Sequence, residues 1–335
     1  MTPSSRQSTR ILIVKLSSLG DLFHALPTVH GLRVGLNASV DWVVQKEYID
    51  VVGCFSDVER VIPFSRHAFL SNLPKFYKDL RLGEYDFVID LQGLLKSASV
   101  TALAHGRRKI GPSFNRECSR LFYTETAGER DLGRHAVDQN RDVLRHLKQP
   151  ISAPVFPVRF PKASNIAEGI HVALLPQSRW PSKNWPPASF VHLARRLLKE
   201  ANVTITLLGG PADVACCGEI EKAVGSSRMI NSAGKESLPA LGSRLEATDL
   251  LIANDSGPVH MAAAVGTPTL VLFGPTDPLR TGPYGQGHRI IRAPAPCHPC
   301  YARYCTRHGA SCMNTIEVPV VVDAAIDMLG LSRNA

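Results

Sequence analysis

With 335 residues, the chain is too long for one ordinary hydrophobic core and fits two α/β domains of usual size. Hydrophobic residues at 44% against 20% charged exclude a disordered polypeptide, and no apolar run approaches the roughly 20 residues of a membrane-spanning helix. The net charge of +9 favours anionic partners such as phosphates or an acidic membrane face, whereas the lack of a basic recognition helix or an aromatic-rich sheet argues against nucleic acid.

In chain order, residues 1–10 are polar and lack an apolar h-region, so they do not read as a secretory signal and a cytoplasmic protein is expected. Ile11 to Val14 is a short apolar run suited to a buried parallel strand. The loop Lys15 to Asp21 follows, and helical spacing runs from Leu22 to Arg33. Further strands are expected at 40–44, 58–64 and 87–91, with helices at 69–82, 94–104 and 134–147. Residues 150–162 carry four prolines and read as a linker. The second half repeats the rhythm, with strands at 171–175, 203–208, 250–253 and 269–273 and helices at 188–200, 211–224, 237–247 and 258–265. A final amphipathic helix is expected at 318–329, able to pack back on the first domain. The alternation predicts two Rossmann-like, doubly wound α/β domains, 1–155 and 165–335, facing each other across a ligand cleft.

Asp21 closes Ser17-Ser18-Leu19-Gly20-Asp21 at a strand end. Taken alone it reads first as a helix cap, with a catalytic carboxylate as the alternative. The loop fits neither the G-x-G-x-x-G dinucleotide pattern nor the P-loop, which argues against a nicotinamide enzyme or a P-loop ATPase. Gln92 and Lys96, in the segment Asp90 to Ser97, place polar groups on the same rim, and Arg107, Arg108, Lys109 and Arg116 add positive charge. In the second half, Lys183 in Trp180 to Pro186 is able to reach a diphosphate. The segment Asn254-Asp255-Ser256-Gly257-Pro258-Val259-His260 opens a helix whose free N–H groups and dipole suit phosphate. No D-x-D-like acidic pair stands at a strand end to hold a catalytic metal, so catalysis is expected to need no cofactor.

Eight cysteines in a cytoplasmic chain argue against a disulfide framework. Four of them, Cys297, Cys300, Cys305 and Cys312, have the crowding of a tetrahedral zinc or iron site, with His298 and His308 as spare ligands. Four protein ligands would make such a site structural; free thiols are the alternative.

Taken together, the blocks Leu12 to Lys15, Ser17 to Asp21, His24 to Pro27, Ile89 to Ser97, Arg116-Glu117 with Leu121 to Tyr123, His135 to Asp138, Lys183 to Pro186, Asn254 to His260 and Gly274 to Thr276 resemble the ADP-heptose:lipopolysaccharide heptosyltransferases. These are glycosyltransferase family 9, with the GT-B fold. The first-domain blocks look like the enzyme that adds the first heptose to inner-core Kdo; the cysteine segment is more like the second-heptose enzymes. The resemblance implies that Asp21 is the general base on the acceptor hydroxyl. It implies that Ser178, Lys183, Asp255, Ser256, Gly257 and His260 hold the donor's phosphates and sugar, with Asp213 at the ribose. Lys15, Gln92, Lys96 and Arg116 would face the acidic acceptor. The expected activity is inverting, metal-independent transfer from ADP-L-glycero-D-manno-heptose to Kdo-lipid A or the inner core, by a peripheral protein at the inner face of the inner membrane. Alternatives are a family 9 transferase with another nucleotide sugar, or with a core-heptose or protein acceptor. A non-catalytic nucleotide-binding protein is disfavoured by the intact Asp21 loop.

Overall fold

The apolar run Ile11 to Val14 is fully buried, as a strand covered on both faces requires. The computed structural model describes residues 9–65, 69–131, 133–162, 169–305 and 311–331. The chain divides into two compact units, Met1–Arg159 and Phe160–Ala335.

The first unit runs β1 (Thr9–Val14), α1 (Leu19–Leu36), β2 (Ala38–Gln45), α2 (Ile49–Val52), β3 (Arg60–Phe64), α3 (Phe69–Leu80), β4 (Tyr85–Asp90), α4 (Leu95–Leu103), β5 (Gly106–Pro112), β6 (Glu125–Ala127), α5 (Ala136–Asn140) and α6 (Asp142–His146). All six strands are parallel, in the order β3-β2-β1-β4-β5-β6. The order reverses between β1 and β4, where Val14 pairs with Asp90. Ligands bind beyond the strand ends at such a switch point, and the loops leaving β1 and β4 are the two that begin with Lys15 and Leu91.

The second unit runs β7 (Ile170–Leu175), α7 (Pro187–Glu200), β8 (Val203–Leu207), α8 (Val214–Val224), β9 (Met229–Asn231), α9 (Leu238–Glu246), β10 (Leu250–Asn254), α10 (Gly257–Ala264), β11 (Thr269–Phe273), α11 (Pro278–Thr281), β12 (His288–Arg292) and α12 (Val318–Met328). Its six parallel strands follow β12-β11-β10-β7-β8-β9, the same winding, with the switch between β7 and β10 and Leu175 paired with Ala253.

Four strands were absent from the sequence reading. β5 and β12 are charged (GRRKIGP, HRIIR), and β6 and β9 have three residues each. Strands near a sheet edge need no continuous apolar run, which removes the signal by which the central strands are found. The helix expected from Leu22 begins three residues earlier, so Asp21 lies inside its first turn. The helix expected at 134–147 is two short ones meeting at Arg141.

The proline-rich segment adheres to the first unit. Ser56 donates its N–H to Pro157 O and Arg159 donates to Cys54 O, each at 2.8 Å. Phe160 packs its ring on Gly242, where a Cβ would lie 2.5 Å from ring carbons. The final helix α12 buries Val321, Val322 and Ala325 in the second unit's core, against α7. Among the described residues no helix is long and apolar enough to cross a membrane.

Candidate active site

At the first switch point, Asp90 organises the loop that follows it. Its Oδ1 accepts from Gln92 N (2.7 Å) and Gly93 N (3.0 Å), and its Oδ2 accepts from the Tyr123 hydroxyl (2.8 Å). Burial pushes this carboxyl above the ordinary range, and hydrogen bonds from Ser97, Gly93, Gln92 and Tyr123 oppose the push. Gly93 takes a left-handed conformation, φ +73°, and any Cβ there would meet Pro112 at 2.8 Å. Its carbonyl accepts from Arg116 N (2.8 Å) and Ser119 Oγ (3.0 Å).

Asp21 is the third residue of α1. Its Oδ2 accepts from both the N–H and the hydroxyl of Ser18, each at 2.8 Å, in a capping box. The side chain retains 42% exposure, and its Oδ1 lies 3.9 Å from Nδ1 of the buried His24. The ring of His24 meets that of His135 edge to face at 5.4 Å. Capping and proton acceptance are therefore compatible here: the cap fixes one oxygen of a carboxylate that solvent still reaches.

Two residues expected at the acceptor have other partners. Lys15 is buried, and its ammonium donates to Leu91 O at 2.6 Å. Burial pulls its pKa below the ordinary range, against the pull of Asp21 and Asp90. The ammonium supplies positive potential to Asp21 and Asp90. Gln92 spends its carbonyl on Leu16 N (2.8 Å) and Ser17 N (3.2 Å), so it fastens the β4 loop to the β1 loop. Lys96 lies over the Phe64 ring at 5.6 Å, and Arg116 is exposed. Of the expected basic surface, Arg108 is paired with Glu125 through two bonds, which hold the carboxyl down at about 2, and Lys109 Nζ donates to Ala102 O. These two belong to the β5–β6 edge rather than to a ligand.

At the second switch point, Asn254 ties the loops together: its amide donates to Pro176 O (2.7 Å) and its Oδ1 accepts from Trp185 N (3.1 Å). Lys183 Nζ lies 2.6 Å from Asp255 Oδ2, and the Thr276 hydroxyl donates to the same oxygen at 2.6 Å. The Trp180 ring lies 4.8 Å from the Lys183 ammonium, within cation–π range. Helix α10 starts at Gly257 with Ser256 as an extended N-cap that makes no side-chain capping bond. The Ser256 hydroxyl is buried without a partner. His260, one turn in, is buried. A helix start with an uncapped first turn beside a lysine is an anion site.

Ser178 and Asp213 are used within their own loops. The Ser178 hydroxyl lies 2.8 Å from Asn184 Oδ1 and 3.0 Å from Trp180 O, and Asp213 Oδ2 accepts from Gly210 N at 2.8 Å. Asn184 also donates to Gln177 Oε1 at 2.7 Å. Thr276, Asn184 and Trp180 escaped the sequence reading as site residues. All three sit inside segments that the sequence singles out, Trp180 to Pro186 and Gly274 to Thr276, and that was the signal that could have found them.

Cys297, Cys300, Cys305 and Cys312 line one cavity of about 520 Å³, together with Ser182 and Thr315. Burial pushes the Cys312 thiol up, and the other three thiols add to the push. The thiols are a soft-metal donor set. Yet no three His, Cys, Asp or Glu side chains among the described residues are arranged to hold an ion. His308 lies outside the described residues.

The profile of glycosyltransferase family 9 (heptosyltransferase) matches residues 73–310. The chain is 30% identical over 316 residues to lipopolysaccharide heptosyltransferase 1 of Pseudomonas aeruginosa, covering 89% of this chain and 87% of that protein. The structure of Escherichia coli heptosyltransferase WaaC with ADP is similar at a TM-score of 0.80 and 26% identity, covering 96% of this chain and 100% of that one. WaaC with ADP-2-deoxy-2-fluoro heptose is similar at 0.72 and 28% identity, covering 85% and 94%.

Proposed function

Because the chain belongs to glycosyltransferase family 9, the heptosyltransferases of GT-B fold, we propose that its donor is ADP-L-glycero-D-manno-heptose and its acceptor a Kdo sugar of the lipopolysaccharide inner core. The observation that carries this reading is the Lys183–Asp255–Thr276 cluster beside the uncapped start of α10. It supports binding of a diphosphate without paired carboxylates around a metal. The similarity to lipopolysaccharide heptosyltransferase 1, and to a heptosyltransferase structure containing ADP, supports the choice of nucleotide and acceptor.

In the proposed step, Asp21 removes the proton from the acceptor hydroxyl as that oxygen attacks the anomeric carbon. The bond from that carbon to the diphosphate oxygen breaks, and the electron pair leaves with ADP. Lys183 and the α10 amides stabilise the charge that develops there. One carboxylate suffices for a single inverting displacement, whereas a retaining glycosidase needs two. A structural zinc or iron held by Cys297, Cys300, Cys305 and Cys312 belongs to the same proposal. It rests on their donor chemistry and their shared cavity alone, since the side chains as placed do not close on an ion, and it takes no part in the step.

The test is ADP release from ADP-heptose with defined Kdo-lipid A acceptors. Turnover with ADP-heptose and Kdo-lipid A is expected. Turnover only with another nucleotide sugar, or only with an acceptor already carrying heptose, rejects the donor or the acceptor respectively.

A further inference from the structure

Leu121 is 83% exposed, the highest value for a large apolar side chain among the described residues. It sits in a tight 3₁₀ turn, Ser119–Phe122, that packs on α4. Leu95, the first residue of α4, is 45% exposed. The two segments are fixed to each other and to one loop. Leu95 N donates to Glu117 Oε2 at 3.1 Å, while Arg116 N and Ser119 Oγ both donate to Gly93 O. Arg116 and Arg120, just before and in the same turn, are exposed; one Arg120 nitrogen donates to Tyr123 O at 2.9 Å, and the Lys96 ammonium lies over the Phe64 ring. The acid among them, Glu117, is already bonded to the α4 start. A lone exposed leucine needs no explanation. Two on a rigid platform that also carries the exposed Arg116 and Arg120 have the composition of a membrane-interface contact.

We propose that Leu95 and Leu121, with Arg116 and Arg120, dock the first unit on an anionic lipid bilayer, the leucines entering the interface and the guanidinium groups meeting headgroup phosphates. The location fits. The platform hangs from the Gln92–Gly93 loop, which Gln92 fastens to the loop that carries Asp21. Docking there would bring the base to the surface from which a lipid-linked sugar projects. The inference deepens the functional reading and rests on its lipid-linked acceptor.

The test is flotation of the full chain with phosphatidylglycerol-containing vesicles and with pure phosphatidylcholine vesicles, without acceptor. The wild type is expected to bind the anionic vesicles and to be released by salt, as basic residues near such a surface require. Leu121→Asp is expected to weaken partitioning at least tenfold and Leu95→Asp severalfold. Both side chains are exposed, and an acid at the start of α4 favours the helix, so folding is retained. Both variants should keep wild-type turnover on a deacylated, water-soluble acceptor and lose it on acceptor embedded in vesicles. Unchanged vesicle binding in Leu121→Asp overturns the proposal. Vesicle binding that responds to the variants, with no turnover on either acceptor, sinks the functional reading and leaves the docking surface standing.

Discussion

Lys183 and Asp255, 72 residues apart in sequence, meet at 2.6 Å at the switch point of the second sheet, and Thr276 holds the same carboxylate oxygen. The pair is largely buried, with 15% and 6% of the side chains exposed. A nucleotide diphosphate arriving at the start of α10 therefore meets an ammonium already held in place.

The first consequence concerns donor binding. Lys183→Ala should lower ADP affinity by roughly 10–100-fold, the worth of a lost charge-assisted hydrogen bond. It should also lower stability by about 3 kcal/mol, because the Asp255 carboxylate is left buried without its counter-charge. Asp255→Asn, which retains Thr276 as a partner, should cost less stability. Calorimetry with ADP and thermal unfolding measure the two effects, and an unchanged ADP affinity in Lys183→Ala removes that residue from the donor site.

Asp21→Asn should reduce kcat by about 10²–10⁴-fold while ADP affinity stays at the wild-type value. The asparagine oxygen can still accept from Ser18, so the helix cap survives and the loss is chemical. Turnover near the wild-type rate would mean that Asp21 is a cap alone.

Gln92→Ala leaves the N–H groups of Leu16 and Ser17 without their shared acceptor. Stability should fall by about 1–3 kcal/mol. Turnover should fall too, because the loop preceding Asp21 loses its anchor, with no change in ADP affinity. Unfolding curves and steady-state kinetics on the same preparation would check this, and a drop in stability with intact kcat would confine Gln92 to a structural role.

The Arg108–Glu125 pair gives a pH dependence with a definite sign. The Glu125 pKa falls from 4.5 to about 2 in the folded chain, chiefly through the hydrogen bonds from Arg108, with His146 adding to it. A carboxylate with a lowered folded-state pKa stabilises above its unfolded value and loses that contribution as pH falls. The stability difference between wild type and Glu125→Gln should thus be constant near neutrality and shrink between about pH 4.5 and pH 2. A difference that holds steady down to pH 2 would contradict the assignment.

Metal analysis decides the cysteine segment. Protein purified without chelator should carry about one equivalent of zinc or iron, reduced by Cys300→Ser and Cys305→Ser. Less than about half an equivalent would reduce the segment to free thiols.

Sequence by itself determined the central strands of both sheets, the repeated α/β rhythm and the loops that carry Asp21, Lys183 and Asp255. Apolar runs such as Ile11 to Val14 and Leu250 to Ala253 report burial on two faces, and polar residues directly after them mark strand ends. Tertiary structure alone decided what those polar residues do. Lys15 and Gln92 looked like ligand-facing groups on the rim, but they bond to Leu91, Leu16 and Ser17, whose strands become neighbours only when β1 and β4 pair. Thr276 joins Asp255 for the same reason, through the pairing of β10 with β11. The edge strand β12 and the next-to-edge strand β5 were hidden because strands away from the sheet centre tolerate charge. Hydrogen-bond partners 72 to 76 residues away leave no local periodicity, so the residue types of this site were legible in the sequence and their partners were not.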